Sequence, residues 1–219
     1  SSNPRTFLKG LASRGPAAEF ADRLMLYGQF VGDWLAEATE FAADGTLTHS
    51  HWDVRFDWVL EGRAIQDLWI TPPREGKEVS WSQVGNRYST TIRIYDPKID
   101  AWHIIWINPP GGYITRQLAR KVGDEIIQLA DVDASGWLTR WVYRDITPDS
   151  FRWCNERSVD QGKSWRLVQE MLPAGLATPP GDASFLDVLA LIQRRYSPQR
   201  PKSPPIRPPF KLWLINRCA

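Results

Sequence analysis

Between residues 48 and 60 the chain alternates without a break. Ser50, Trp52, Val54, Phe56, Trp58 and Leu60 fall on one face, and His49, His51, Asp53, Arg55 and Asp57 on the other. A period of two makes one side of a strand dry and the other wet. Similar runs occupy residues 33–43, 63–71, 88–96, 101–108, 112–121, 124–130, 136–146, 150–158 and 164–172. The breaks between them carry turn chemistry: Pro72-Pro73, Asp96-Pro97, Pro109-Pro110-Gly111-Gly112, Gly123-Asp124, Ser135-Gly136, Pro148-Asp149 and Gln161-Gly162. Strands joined by such short turns pair antiparallel, because a parallel pair needs a crossover of about a dozen residues or more. A meander of about ten twisted strands gains by closing on itself, since closure removes exposed edges. The pattern therefore predicts an all-β fold, an antiparallel up-and-down barrel able to hold one small ligand. An open sandwich is the alternative topology.

Helical spacing flanks this region. Phe20, Leu24, Tyr27 and Phe30 recur at steps of three and four within residues 16–30, which predicts an amphipathic helix ahead of the sheet. After Leu172 a Pro/Gly-rich linker leads to a second predicted helix over residues 184–195, with Phe185, Leu189 and Ile192 in register. Six prolines between residues 197 and 209 exclude a regular helix or a central strand there. Three regions result: an N-terminal extension and helix over 1–31, a barrel over 32–173, and a linker, short helix and Pro-rich tail over 174–219.

Composition narrows the class. The 219 residues are 42% hydrophobic and 24% charged with a net charge of +2, the profile of a chain that folds. Twelve Trp stand against two Met, which suits strands and the walls of an aromatic pocket. No apolar run reaches the roughly 20 residues of a membrane-spanning helix, and no charged-then-apolar leader opens the chain, so a soluble, cytoplasmic protein is expected. Residues 178–219 hold seven Lys/Arg against Asp182 and Asp187. The barrel region is thus slightly acidic, and nucleic acid is not the expected partner. The basic Pro-rich tail offers a separate hypothesis, an interaction module that binds a partner or a second copy in a homodimer. Cys154 and Cys218 are too few for a disulfide framework and lack metal-ligand spacing.

Gly32-Asp33-Trp34 opens the first strand directly after a helix and resembles the G-x-W signature of lipocalins and related calycin barrels. The resemblance implies that the Trp closes one barrel end under a basic side chain from the last strands, here Arg157 or Arg166, by cation–π contact. Residues Val59 to Trp69 (VLEGRAIQDLW), Ile94-Tyr95-Asp96-Pro97 with Trp102, Trp106 and Asn108, and Asp145 to Phe151 (DITPDSF) with Gly162-Lys163-Ser164-Trp165 extend it. Together they look like a widespread bacterial family of lipocalin-like proteins of unassigned function, over roughly residues 28–172. That family implies a calycin-like barrel and no particular reaction. In outline the architecture is also similar to nitrobindin-like barrels, which implies haem with His103 as an axial ligand; otherwise no cofactor is expected.

Candidate chemistry follows from polar residues that interrupt apolar strands. His49 and His51 share a strand face with Asp53, but the polar side of that strand reads as solvated and no metal site is assigned. His103, within Trp102-His103-Ile104-Ile105-Trp106, is expected to be partly buried and is a candidate acid or base. Asp67 lies between Ile65 and Trp69 on one face, where desolvation would fit a carboxyl for proton transfer; the alternative is pairing with Arg63, Arg93 or Arg144. Asp145 reads as a rim residue or an ion-pair partner. Trp58, Trp106, Trp141 and Trp153 are assigned to the pocket wall, and Tyr143, Asn155 and Gln169 to polar positions that orient a guest. Arg116, between Ile114 and Leu118, is assigned to a ligand carboxylate or carbonyl, although an outward-facing Arg is the more usual case. The expected partner is a small, largely apolar or aromatic molecule. The protein would either carry it or act on it as a cofactor-independent isomerase, cyclase or hydro-lyase. No nucleophile motif, phosphate-cradling loop or dinucleotide fingerprint occurs.

Overall fold

A computed structural model describes residues 4–73 and 86–175 of the chain. Its order is α1 (Pro4–Leu11), α2 (Ala21–Gly28), β1 (Gly32–Phe41), β2 (Leu47–Val59), β3 (Ala64–Thr71), β4 (Arg87–Asp96), β5 (Ala101–Asn108), β6 (Tyr113–Val122), β7 (Glu125–Ala130), β8 (Leu138–Thr147), β9 (Ser150–Ser158) and β10 (Arg166–Gly175). Every strand pairs antiparallel with its neighbour in sequence. β1 and β10 close the ring, from Trp34 opposite Gly175 to Glu40 opposite Gln169. The ten-stranded closed barrel expected from the alternation is the observed fold, and the sandwich is not. The helix expected at 184–195 and the Pro-rich tail lie outside the described residues.

The two ends of the barrel differ. At one end α2 lies across the opening and pushes Leu24, Tyr27 and, just beyond it, Phe30 into the interior. Tyr27 meets Trp102 edge-on at 4.9 Å. Phe30 packs on Phe56, Tyr143 and Phe151 at 5.7, 5.1 and 4.7 Å. Interlocked rings of this kind bury large apolar areas with defined geometry. Trp34 completes the seal: its indole N–H donates to the Phe30 carbonyl at 2.7 Å and its ring meets Phe151 at 5.0 Å. The basic residue expected over Trp34 is not Arg157 or Arg166. Antiparallel pairing sets those two opposite each other at the far end of the barrel, where Arg157 covers Trp137 at 5.3 Å and Arg166 donates to the Phe41 carbonyl.

The N-terminal helix is shorter than its apolar stripe. Phe20 takes a left-handed φ of 63° and is exposed, so α2 starts at Ala21. Upstream, the Ser13 and Ala17 amides donate to the Trp58 and Gly62 carbonyls of the β2–β3 corner. Backbone donors spent on the sheet cannot continue a helix. The same corner receives α1, an element that the sequence pattern did not suggest, through the Leu60 amide bonded to the Leu11 carbonyl. Leu60 itself turns outward at φ 54° and leaves the dry face assigned to it.

Gly28 ends α2 flat against the Trp58 ring, and a Cβ there would overlap Trp58 Cζ2 and Cη2. Overpacking against a rigid ring costs about 1–3 kcal/mol. Gly28→Ala should therefore lower the thermal midpoint by several degrees, as measured by circular dichroism, whereas Gly10→Ala, with nothing within 4 Å of the added Cβ, should not lower it.

Candidate functional site

The other end of the barrel is open. It leads into a cavity of about 530 Å³ in which Trp52, Trp69, Trp106, Trp141 and Trp153 are set among more numerous polar and charged side chains, Glu40, Arg87, Asp131, Asp133 and Arg157 among them. The indoles form a connected wall: Trp69 lies 5.8 Å from Trp153, Trp153 5.5 Å from Trp141, and Trp141 5.5 Å from Trp106, with Tyr113 beyond at 5.3 Å. Each ring projects inward because strand alternation puts it on the interior face. Trp69, Trp153, Trp141 and Trp106 brace one another in this order, and the Trp52 indole N–H donates to Ser50 Oγ.

The floor of the cavity is a buried polar layer. The Arg93 and Asp67 side chains are 1% and 0% exposed, with Nη1 and Oδ2 2.6 Å apart. The Thr91 amide donates to Asp67 Oδ1 at 2.7 Å, and Arg93 Nη2 donates to the Tyr143 hydroxyl at 3.0 Å. The guanidinium also lies 4.9 Å from the centre of the Tyr27 ring and 5.3 Å from that of Phe56. Beside it, Gln128 Nε2 donates to the Tyr27 hydroxyl. Burial works against the charge on Arg93, but the Asp67 carboxylate together with the Tyr143 and Tyr27 hydroxyls outweighs it and holds the guanidinium above the ordinary arginine value. Burial pushes the Tyr143 phenol up to about 12, against the opposing pull of Arg93, and raises Tyr27 further.

The structure sorts the sequence-predicted site residues. Trp106, Trp141, Tyr143, Trp153, Asn155 and Gln169 line the cavity. Asp67 lies beneath it with both oxygens engaged. Trp58 is buried at the sealed end against Gly28, which corrects its place in the pocket wall. His103 is on the outer surface, its side chain 51% exposed and its Nε2 3.2 Å from Asp96; Trp102, Ile104 and Trp106 take the inward positions of β5. The partly buried His is thereby corrected, and an imidazole outside the wall cannot reach a guest or a haem inside. Asp67 and His103 are on opposite sides of the sheet and form no acid–base pair. Arg116 is likewise exposed, outside the pair Thr115 and Gln117 that points in. On β10 one extra residue at Val168 shifts the register, with Leu167 opposite Glu156 and Gln169 opposite Asn155. Leu167 therefore joins an outer cluster with Ile127, Val142 and Cys154, and only Gln169 and Met171 of that predicted face remain inside. Asp145 is exposed beside Arg152, the ion-pair alternative.

Sequence reasoning missed Trp52, Trp69, Thr91, Arg87 and Arg157 as lining residues. Trp52 and Trp69 were legible, because they share faces with Trp58 and Asp67. Thr91 and Arg93 were not: β4 turns Ser89, Thr91 and Arg93 inward and leaves Ile94 exposed, the reverse of the usual pattern, and only the whole ring shows why. A second hollow of about 550 Å³ lies between α2 and the β4–β5 turn. Two of its three basic groups are engaged, Arg120 on the Ile99 and Asp100 carbonyls and Arg23 on the Asp100 carboxylate, and Lys121 at its edge is exposed. Among the described residues no group of three or more His, Cys, Asp or Glu is placed to hold a metal ion, and no helix is long and apolar enough to cross a membrane.

The fold and cavity thus define a closed antiparallel β-barrel, sealed at one end and hollow at the other. No protein-family model and no curated protein matches the chain. Fourteen chains of solved structure match. Among them is Rv2717c from M. tuberculosis, at 12% identity and a TM-score of 0.46, covering 71% of this chain and 98% of its own. Another is the S-type phycobiliprotein lyase CPES from Guillardia theta, at 12% identity and a TM-score of 0.44, covering 73% of this chain and 92% of its own. Likenesses of this strength assign no function.

Removing one member of a buried ion pair strands the other and costs about 3–5 kcal/mol. Asp67→Ala should show a loss of that size in urea denaturation, and the joint replacement Asp67→Leu with Arg93→Met should lose less than the sum of the two single changes. The raised Tyr143 phenol carries a second expectation. Its contribution to stability is intact below about pH 10 and is lost as pH rises from 10 toward about 12, because the unfolded chain ionises first. Wild type should lose stability more steeply across that window than Tyr143→Phe, as measured by denaturation at fixed pH.

Proposed function

We propose that the barrel binds a small, largely aromatic or apolar organic molecule in its open half. The observation that carries this reading is the five-indole cavity above a fully buried polar floor. Ligand sites combine aromatic walls with placed hydrogen-bonding groups in volumes of about 300–1,000 Å³, and this cavity has indoles on its wall with polar and charged groups between and above them. A protein interior is otherwise filled to crystal-like density, so a hollow with braced rings around it is suited to a guest. The Tyr143 hydroxyl and the Asn155 amide supply orienting contacts at the floor and wall, and Gln169 does so nearer the mouth, where its amide donates to Glu40 at 3.3 Å.

Binding is favoured over turnover. An acid–base mechanism needs a group that can take or give a proton within reach of the guest. Asp67 is committed to Arg93 and the Thr91 amide, and His103 is outside. In this reading the floor is a rigid template and Asp67 holds Arg93 in place.

Native mass spectrometry of the protein from its own host should show a bound organic molecule that is released on unfolding, and the cluster of indoles should report it by fluorescence quenching. Trp153→Ala, which removes the ring joining Trp69 to Trp141, should weaken binding of 2-naphthol about tenfold or more. Equal affinity in wild type and this variant would remove the cavity as the binding site.

A further inference from the structure

The inward face of β9 climbs from the floor to the mouth as Phe151, Trp153, Asn155 and Arg157, from wholly apolar to cationic. Arg157 is half-buried, and its guanidinium rests on the Trp137 ring at 5.3 Å. Unlike the buried Arg93, it has no carboxylate within ion-pair distance among the described residues. Its cross-strand neighbours are Thr139 and a second cation, Arg166. Its Nε is shielded from solvent without a hydrogen-bond partner, and so is the Oδ1 of Asn155 one step deeper. A shielded donor and a shielded acceptor, on two residues that line the cavity from one strand, are costly to leave unmet.

The acidic groups at the mouth do not answer Arg157. Asp133 Oδ1 is taken up by the Ser135 and Trp137 amides, Glu40 by Gln169, and Asp131 stands exposed beyond the end of β7. The remaining basic lining residue, Arg87, donates to the Asn86 carbonyl.

Resting on the binding function proposed above, we infer that the ligand is a flat aromatic carboxylic acid carrying a hydroxyl or amino donor, held with its rings among the indoles and its carboxylate at Arg157. A guanidinium offers planar, paired donors that match a carboxylate. Stacking on Trp137 limits its motion and so reduces the ordering that binding requires. Asn155 Oδ1 accepts from the donor of the same ligand, which fixes which edge of the ring system faces β9.

The test compares 3-hydroxy-2-naphthoate with 2-naphthol, which lacks the carboxylate, by tryptophan quenching and by native mass spectrometry on the full chain. Wild type should bind the acid more tightly. Arg157→Gln should weaken the acid about tenfold or more and leave 2-naphthol within about twofold, whereas Arg116→Gln, on the outer face, should change neither. Arg157→Lys, which keeps the charge without the paired donors, should retain part of the preference and serves if the Gln variant does not fold. If Arg157→Gln leaves the ratio of the two affinities unchanged while Trp153→Ala still weakens both, the anionic ligand is wrong and the cavity reading stands. If neither compound binds, or Trp153→Ala affects neither, the cavity reading fails and this inference goes with it.

Discussion

The interior of this barrel is organised around one buried ion pair. Taking a guanidinium out of water is costly unless its charge is paired, and Arg93 is contacted from three strands and a helix: Asp67 on β3, Tyr143 on β8, the faces of Phe56 on β2 and Tyr27 on α2. Each of these contacts limits where another element can sit. The pair therefore fixes the level at which the packed half of the barrel stops and the hollow half begins. Below it the rings of α2 and the strands interlock; above it the wall indoles lean on one another around empty space.

That division separates two tasks that compete in a small barrel. A closed sheet of ten strands has no free edge to pair with another chain, but its lumen must still be filled or left open. Here α2 acts as a plug at one mouth and contributes most of its buried surface there, with the Trp34 indole bonded across to Phe30. Stability is concentrated at the sealed end. The open end can then hold a cavity without weakening the ring, because the strands are joined all the way round by their own hydrogen bonds.

The gradient along β9 connects this architecture to recognition. Its inward residues become more polar toward the mouth, and the polar groups there are held by packing instead of by ion pairs. Arg157 rests on Trp137 one step above the shielded Asn155 carbonyl.

Strand number, antiparallel order and the identity of most inward rings could be read from the chain, because alternation and turn residues act locally and each run declares its own two faces. Trp106, Trp141, Tyr143, Trp153 and Asn155 were assigned correctly to the interior for that reason. Other assignments failed where local pattern carries no information. His103 and Arg116 lie between apolar neighbours yet point outward, since both faces of β5 carry apolar residues and the inward face of β6 carries Thr115 and Gln117. Leu167 was turned outside by a single extra residue in β10, and Trp58, on the correct face, proved to lie at the sealed end. Which end α2 plugs, how high the Arg93–Asp67 pair sits and whether a cavity-lining cation has a carboxylate beside it among the described residues all depend on the shear and closure of the ring. These bring residues distant in sequence to one level, as with Tyr27 and Gln128. The chain by itself determined that there would be a ring of tryptophan-bearing strands; only its closure decided where that ring is solid and where it is hollow, because a strand's period assigns a side chain to a face but never to a height.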